Sequence, residues 1–122
     1  MLLKEFYSVV NSDKIEREFV TEIRINKDHS IYKGHFPGLP VTPGVILMQL
    51  FKEEAERQTN TKLQLEKANN VKFTAVVDPN TEDHFFLYSE ISQEEDIVKL
   101  KGIAKHKGNI SLKINSVYKI VS

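Results

Sequence analysis

Three side chains in the first half of the chain could serve acid–base chemistry: a titratable histidine, a hydrogen-bonding amide and a carboxylate. They are His35, Gln49 and Glu53. An imidazole titrates near neutral pH, so His35 can act as a base. Gln49 and Glu53 are four residues apart, a spacing that puts both side chains on one face of a helix. A glutamine can orient a hydroxyl group or a water but cannot act as an acid. Glu53 also has a simpler interpretation, as part of a solvated, charged helix face.

His35 lies in a loop with a restricted backbone, residues 34–45, which has the sequence GHFPGLPVTPGV. The loop holds three of the four prolines and three of the five glycines of the chain. Proline fixes its own φ angle and restricts the residue before it, whereas glycine allows angles that other residues avoid. This composition indicates a rigid loop with a function. The simpler alternative is that His35 only hydrogen-bonds to the backbone of a tight loop.

A helix is predicted directly after this loop. Thr42 is a good N-cap residue and Pro43 fits the first helical position, so the helix is expected to run from Pro43 to about Thr59. Residues 45–51 are apolar nearly all round and predict burial on most sides. Residues 52–58 are mostly charged and are expected to reach solvent or an interface. The unpaired N–H groups at the helix start suit an oxygen that acquires negative charge.

Most of the remaining chain is strand-like. From Phe19 to Asn26 the residues alternate with a period of two, which predicts a strand with one buried face. Residues 1–18 show no clean period and predict a short helix or strand. Further strands are predicted at 63–65, 71–77, 85–91, 97–104 and 110–120, with turns at 78–80, 93–96 and 107–109. The pattern predicts an α+β domain of residues 1–122, in which a curved antiparallel sheet wraps one central helix.

Length and composition narrow the classes of function. The 122 residues suffice for one domain with one core, and a formal net charge of zero argues against nucleic acid as a partner. The absence of cysteine excludes disulfides and thiolate chemistry. No apolar run matches a membrane helix and the N-terminus lacks a signal-peptide layout, so a cytoplasmic location is expected. No cofactor or metal is indicated, since His29, His84 and His106 lack ligand spacing and are expected at the surface.

The charges are unevenly distributed along the chain. Residues 97–122 hold six of the 17 basic residues and none of the 17 acidic ones, so they carry a net charge of +6 against −6 for residues 1–96. The simpler interpretation is a solvated sheet face. The alternative is a docking surface for an acidic partner.

The loop and the helix start together resemble a known signature. Residues 34–45 closely resemble the motif of the 3-hydroxyacyl-acyl-carrier-protein dehydratases of fatty acid synthesis, the FabZ and FabA type, which have a hot-dog fold. Residues 70–79 are similar to the next strand and turn of that family, with Asn80 where glycine is usual, and residues 98–104 are similar to the strand after it. The resemblance covers roughly residues 19–120. It implies a hot-dog fold that works as a homodimer or a larger assembly of dimers, with two active sites at the interface and the acyl chain in a tunnel beside the helix.

The resemblance also implies roles for single residues. His35 corresponds to the base, Phe36 to a residue that lines the acyl tunnel, and the backbone amides of Gly44 and Val45 to the donors that bind the thioester carbonyl. The substrate is a thioester of acyl carrier protein or coenzyme A. Because carrier proteins are acidic as a class, the basic C-terminal strands become a candidate docking face that includes Lys99, Lys101, Lys105, Lys107 and Lys113.

The sequence departs from this family at the acid. At the position of Gln49 the family has a glutamate or aspartate, and one helical turn later a glutamine is common. By this resemblance the carboxylate and the amide have exchanged places here, as Gln49 and Glu53. The loss of one acid–base group costs roughly 10²–10⁴ in rate. Three interpretations follow: a dehydratase in which Glu53 acts through a water or through Gln49, a thioesterase in which Glu53 or His35 activates water, or a non-catalytic subunit that pairs with an active homologue. The first is the prediction, because the rest of the motif is retained.

Overall fold

The computed structural model of the chain describes residues 5–29, 44–74, 77, 79 and 82–121. The described residues form one helix and six strands. Their bounds are β1 Tyr7–Ile15, β2 Glu18–Ile25, α1 Gly44–Thr59, β3 Leu63–Phe73, β4 His84–Glu94, β5 Ile97–His106 and β6 Asn109–Ile120. The predicted helix is confirmed over the described residues, and so are the strands predicted at 85–91, 97–104 and 110–120. The segment before Phe19 contains a strand.

The six strands form one antiparallel sheet in the order β1-β2-β4-β5-β6-β3. Strands β4, β5 and β6 follow one another as the predicted meander. The turn between β5 and β6 is built on Lys107 and Gly108, whose φ angles are 55° and 77°, the left-handed conformation that two-residue hairpin turns require. Strand β3 pairs with β6 and therefore lies at the edge of the sheet opposite β1.

Strand β3 differs from the prediction, because it joins the two predicted pieces, 63–65 and 71–77, and ends at Phe73, so that Thr74 and Val77 are not in a strand. Two separate pieces were expected, but residues 63–73 form one strand whose register against β6 shifts twice, between Leu65 and Lys67 and between Asn69 and Lys72. Each shift leaves an extra residue on β3, as β-bulges do. The bulges interrupt the alternation of side chains between the two faces of the sheet. The period of two in the sequence is therefore interrupted within residues 63–73.

The helix packs on the inner face of the sheet. Leu47, Leu50 and Phe51 are buried and join the apolar side chains of the strands in one core. Gly102 of β5 is needed for this packing, because a Cβ atom there would lie 2.7 Å from the Phe51 ring. The predicted buried face of β2 is confirmed at Thr21, Ile23 and Ile25.

Burial along the helix differs from the prediction in the first turn and in the charged half. Val45 was expected to be buried but is 71% exposed. Glu53, Glu54 and Ala55 were expected to reach solvent or an interface but are buried. Within the described residues, no helix is long and apolar enough to cross a membrane.

Candidate active site

One face of helix α1 carries four side chains, from its exposed start past the predicted carboxylate to the last turn. They are Val45, Gln49, Glu53 and Arg57. They are spaced by four residues and follow one another along one face. Gln49 Nε2 donates a hydrogen bond to Glu53 Oε2 at 3.1 Å. The predicted common face of the amide and the carboxylate is therefore confirmed.

Glu53 lies inside the protein, with 2% of its surface exposed. Its other oxygen, Oε1, accepts a hydrogen bond from the Tyr7 hydroxyl at 2.8 Å. Tyr7 begins β1, and a second contact between this strand and the helix is made where Gln58 Nε2 donates to Ser12 Oγ at 3.2 Å. The interpretation of Glu53 as part of a solvated helix face is therefore wrong, because β1 covers this part of α1.

Arg57 holds Tyr7 from the opposite side. Its Nη1 donates to the phenol oxygen, and its guanidinium carbon lies 5.4 Å from the centre of the ring. Because the oxygen accepts from Arg57, the single phenol proton is directed to Glu53. Burial raises the pKa of Tyr7 to about 12; the hydrogen bond from Arg57 opposes the rise and Glu53 adds to it. Tyr7 is therefore a neutral donor at physiological pH.

A second carboxylate, Glu54, is completely buried. Arg57 Nη2 pairs with its Oε1 at 2.8 Å, and its Oε2 accepts hydrogen bonds from Thr21 of β2 and from Gln58 Nε2. Burial alone would lower the pKa of Arg57, but the contacts with Tyr7 and Glu54 outweigh it and raise that pKa. A buried charge needs such partners, so Glu54 and β2 fix the position of Arg57.

Sequence reasoning missed Tyr7, Glu54 and Arg57. Arg57 follows Glu53 by four residues, so helical spacing could have indicated it. Glu54 had been assigned to the solvated half of the helix on charge alone. For Tyr7, the sequence contains no signal, since the contact with Glu53 joins residues 46 positions apart.

Two depressions border the amide–carboxylate pair. An apolar one of about 240 Å³ lies between α1, β3 and β6 and is lined by Val45, Met48, Gln49, Lys52, Leu65, Ile114 and Tyr118. A more polar groove of about 550 Å³ begins at Gln49 and Glu53 and continues to Lys62 and Val121. Gln49 borders both, and none of the described residues donates a hydrogen bond to its Oε1.

The start of α1 supplies backbone donors near the apolar depression. The first N–H groups of a helix have no partners within it, and here they belong to Gly44 and Val45. The missing side chain of Gly44 leaves space that the Phe73 ring fills, since a Cβ atom would lie 2.7 Å from that ring. In this structure the glycine therefore permits close packing of β3, and the approach of a substrate to it stays a prediction.

His35 and Phe36 lie outside the described residues, as does most of the loop that carries them. The predicted roles of the base and of the tunnel residue therefore stay predictions. What the described part of the chain supplies is a buried carboxylate, a free amide oxygen and helix-start donors beside an apolar depression. Such groups can hold an acyl chain, a polar group near its end and an oxygen that gains charge.

The predicted docking lysines Lys99, Lys101, Lys105 and Lys107 lie on β5 and at its end, where they alternate with buried residues. The alternation along the strand places Lys99, Lys101 and Lys105 on the outer face of the sheet, away from the helix, and Lys107 lies in the turn after it. In the described part of the chain none of the four forms an ion pair, although Lys105 Nζ lies 4.8 Å from the centre of the Tyr88 ring. The sheet thus separates these unpaired charges from Gln49 and Glu53.

The histidines differ from expectation at one position. His106 was expected at the surface but is buried, where its Nε2 is 2.7 Å from the carbonyl oxygen of Glu82. Glu82, Asp83 and His84 have ligand atoms within 4.8 Å of one another and could hold a metal ion. In the structure, however, Arg24 pairs with Asp83 and Glu22 contacts His84.

Comparisons with known proteins assign the chain to a family and identify its fold. The sequence model of the ApeI-like family, described as ApeI dehydratase, matches residues 11–112. No curated protein gives a significant match. The dehydratase heterocomplex ApeI:P from Xenorhabdus doucetiae contains a similar chain, with a TM-score of 0.72 and 13% identity over 92% of this chain and 96% of that one. YhdA from Lactococcus lactis, proposed to be a thioesterase, has a TM-score of 0.71 and 9% identity over 99% and 96%. These structures confirm the predicted hot-dog fold.

Proposed function

Since the chain belongs to the ApeI-like dehydratase family, we propose that it dehydrates 3-hydroxyacyl thioesters to trans-2-enoyl thioesters, as the FabZ and FabA type of dehydratase does. The thioester is carried by acyl carrier protein or coenzyme A, in the synthesis of fatty acids or related acyl chains in the cytoplasm. The observation that carries the proposal is the hydrogen bond between Gln49 and the buried Glu53. The two residues follow Val45 on one face of the helix, and Gln49 and Val45 line the apolar depression.

The proposed reaction uses these groups in sequence. The N–H groups at the start of α1 bind the thioester oxygen while His35 removes a proton from C2. The C3–O bond then breaks, and the hydroxyl leaves as water with the proton that His35 had taken. Gln49 Oε1 accepts a hydrogen bond from the 3-hydroxyl. Glu53 holds a water through which the proton passes from His35 to the leaving hydroxyl. Both oxygens of Glu53 accept hydrogen bonds, and this favours a role as acceptor over the predicted role of acid.

Purified protein tests the proposal directly. We expect it to interconvert 3-hydroxyacyl and 2-enoyl thioesters, supplied on coenzyme A and on acyl carrier protein at several chain lengths, with product separation by mass spectrometry. His35→Ala should abolish the reaction, and His29→Ala, which changes a histidine outside the site, should not. A wild-type protein that forms no enoyl or 3-hydroxyacyl product would contradict the proposal.

A thioesterase is the second candidate, and one observation favours it. The similar structure of YhdA from Lactococcus lactis belongs to a protein proposed to be a thioesterase, and in that reaction Glu53 or His35 would activate the water. The same substrates distinguish the two reactions, since hydrolysis releases a free thiol and dehydration does not. Thiol release that depends on Glu53, without enoyl product, would replace the first function with the second.

The third candidate is a non-catalytic subunit. The similar chain from Xenorhabdus doucetiae occurs in a complex named ApeI:P, so a partner is plausible for this chain as well. Inactivity in both assays, together with co-purification of a homologue that has glutamate at the position of Gln49, would support this function.

We also propose that the protein forms homodimers, or larger assemblies of dimers, through β3. This strand is at the edge of the sheet over 11 residues, and it presents the half-exposed apolar side chains of Leu65 and Phe73 beside Val45. A long edge strand with apolar residues is prone to pair with another strand. Pairing at this edge would also cover the depression that Gln49 borders.

A further inference from the structure

The two oxygens of Glu53 are held by different parts of the fold. Oε2 contacts Gln49 of the same helix, whereas Oε1 accepts from Tyr7 of β1. We propose that Tyr7 is a positioning residue, which fixes Oε1 so that Oε2 and the Gln49 amide are presented to the substrate. The catalytic consequence rests on the proposed function, but the contact itself does not.

The direction of the hydrogen bonds supports this role. Arg57 can only donate, so its contact obliges the Tyr7 oxygen to accept from it and leaves the phenol proton for Glu53. The order of donation is therefore Arg57 to Tyr7 to Glu53. Because Tyr7 donates to one oxygen of Glu53 and Gln49 to the other, the carboxylate has one preferred orientation.

The chain of contacts is anchored at its far end. Arg57 cannot move freely, because Nη2 pairs with the completely buried Glu54. Glu54 in turn accepts from Thr21 of β2, which also contacts Ser12 of β1 at 2.9 Å. Two strands of the sheet thus fix the carboxylate of the helix, which is the support that a functional side chain needs.

The competing explanation is a purely structural role, in which Tyr7 only satisfies a buried carboxylate. The two roles differ in what they predict for catalysis. Loss of positioning lowers kcat with little change in KM, whereas a structural defect lowers the fraction of folded protein and leaves kcat per folded molecule unchanged.

Tyr7→Phe is the central variant, since it keeps the ring that packs on Phe6 and Arg57 and removes only the hydroxyl. On whichever thioester reaction the wild-type protein catalyses, we expect kcat to fall about 10- to 100-fold at nearly constant KM. The matched control is Tyr88→Phe, because the Tyr88 hydroxyl makes no hydrogen bond among the described residues. If Tyr7→Phe left kcat unchanged, or lowered it no more than the control, the proposal would be overturned.

A double-mutant cycle tests whether Tyr7 acts through Glu53. In the Glu53→Gln background, Tyr7→Phe should change kcat by less than about twofold, whereas independent roles would multiply. Should Tyr7→Phe fail to fold, Arg57→Lys perturbs the same chain of contacts and is expected to lower kcat in the same direction. An undiminished effect in the Glu53→Gln background would overturn the proposal.

The contact between Tyr7 and Glu53, though not its catalytic consequence, can also be tested without any activity. If the wild-type protein catalyses neither reaction, the proposed function fails, and the same four proteins are compared by urea unfolding. We then expect Tyr7→Phe and Glu53→Gln to be coupled by at least about fivefold in the unfolding equilibrium constant. Strictly additive effects on unfolding would overturn the inference independently of the reaction.

Discussion

The hydroxyl of Tyr7 donates to the carboxylate of Glu53 at 2.8 Å, across 46 residues of sequence. The contact joins the first strand of the sheet to the middle of the helix. It explains why a glutamate in a charged stretch is buried, and it extends the site beyond the loop and the helix that the sequence pointed to.

Tyr7 should make the stability of the protein depend on pH in the alkaline range. A tyrosine titrates near 10 in the unfolded chain, whereas Tyr7 has a pKa of about 12 in the folded protein. Below pH 10 both states hold the proton and the stabilisation is complete. Between pH 10 and 12 the unfolded state releases the proton first, so the free energy of unfolding should fall as pH rises, by roughly 1–2 kcal/mol after allowance for partial exposure. Urea unfolding of wild type and Tyr7→Phe at several pH values measures this, and equal pH slopes would contradict it.

Arg57→Ala should destabilise the fold. The substitution leaves the completely buried Glu54 without its ionic partner, and a buried group that loses a charged hydrogen bond costs about 1–3 kcal/mol. The matched control is Arg24→Ala, which removes a more exposed pair with Asp83 and should therefore destabilise the fold less than Arg57→Ala does. Free energies of unfolding from urea titrations compare the two. Equal losses in the free energy of unfolding would show that the Arg57–Glu54 pair stabilises the fold no more than the Arg24–Asp83 pair does.

Glu53→Gln should lower turnover by roughly 10²–10⁴, because it replaces the only carboxylate that contacts Gln49 in the described part of the chain. The side chain keeps its size, so the fold should be retained. Glu94→Gln serves as the control, since Glu94 is an exposed carboxylate at the end of β4. Steady-state rates on the active thioester give the comparison, and a Glu53→Gln variant as active as the control would remove Glu53 from the site.

Most of the fold was predictable because its signals are local. The period of two in β2 follows from one buried face, and the turns between β4, β5 and β6 have turn-forming residues. The Gln49–Glu53 contact was predictable from helical spacing alone. These features depend on residues that are close in sequence, where geometry leaves little choice.

The rest of the site could not be predicted, for a physical reason. Strand β1 is an edge strand that is exposed on both sides after Tyr7, so no apolar face marks it in the sequence. The burial of Glu53 and Glu54 depends on partners supplied by β1 and β2 and by Arg57. Charge pattern alone assigns such residues to solvent, because it contains no information on distant donors.

The unpaired lysines of β5 predict binding of an acidic carrier protein that depends on salt. We expect Lys99→Glu with Lys101→Glu to weaken binding of acyl carrier protein at low ionic strength, and the wild-type affinity to fall as salt is added. Lys62→Glu is the informative comparison, because Lys62 lines the groove beside Glu53 on the other face of the sheet. Titration calorimetry measures each affinity. A loss confined to Lys62→Glu would move the docking surface to the groove.

Leu65→Lys should prevent dimer formation if β3 is the interface. Leu65 is 43% exposed on the edge strand β3, and a lysine there would place a charge in an apolar contact between two copies. The control is Val9→Lys, which adds the same charge at a 44% exposed position on the other edge strand, β1. Light scattering coupled to size exclusion measures the mass of each protein. Wild type and Val9→Lys should elute as dimers or larger assemblies and Leu65→Lys as a monomer, whereas a monomer caused by Val9→Lys alone would place the interface on β1.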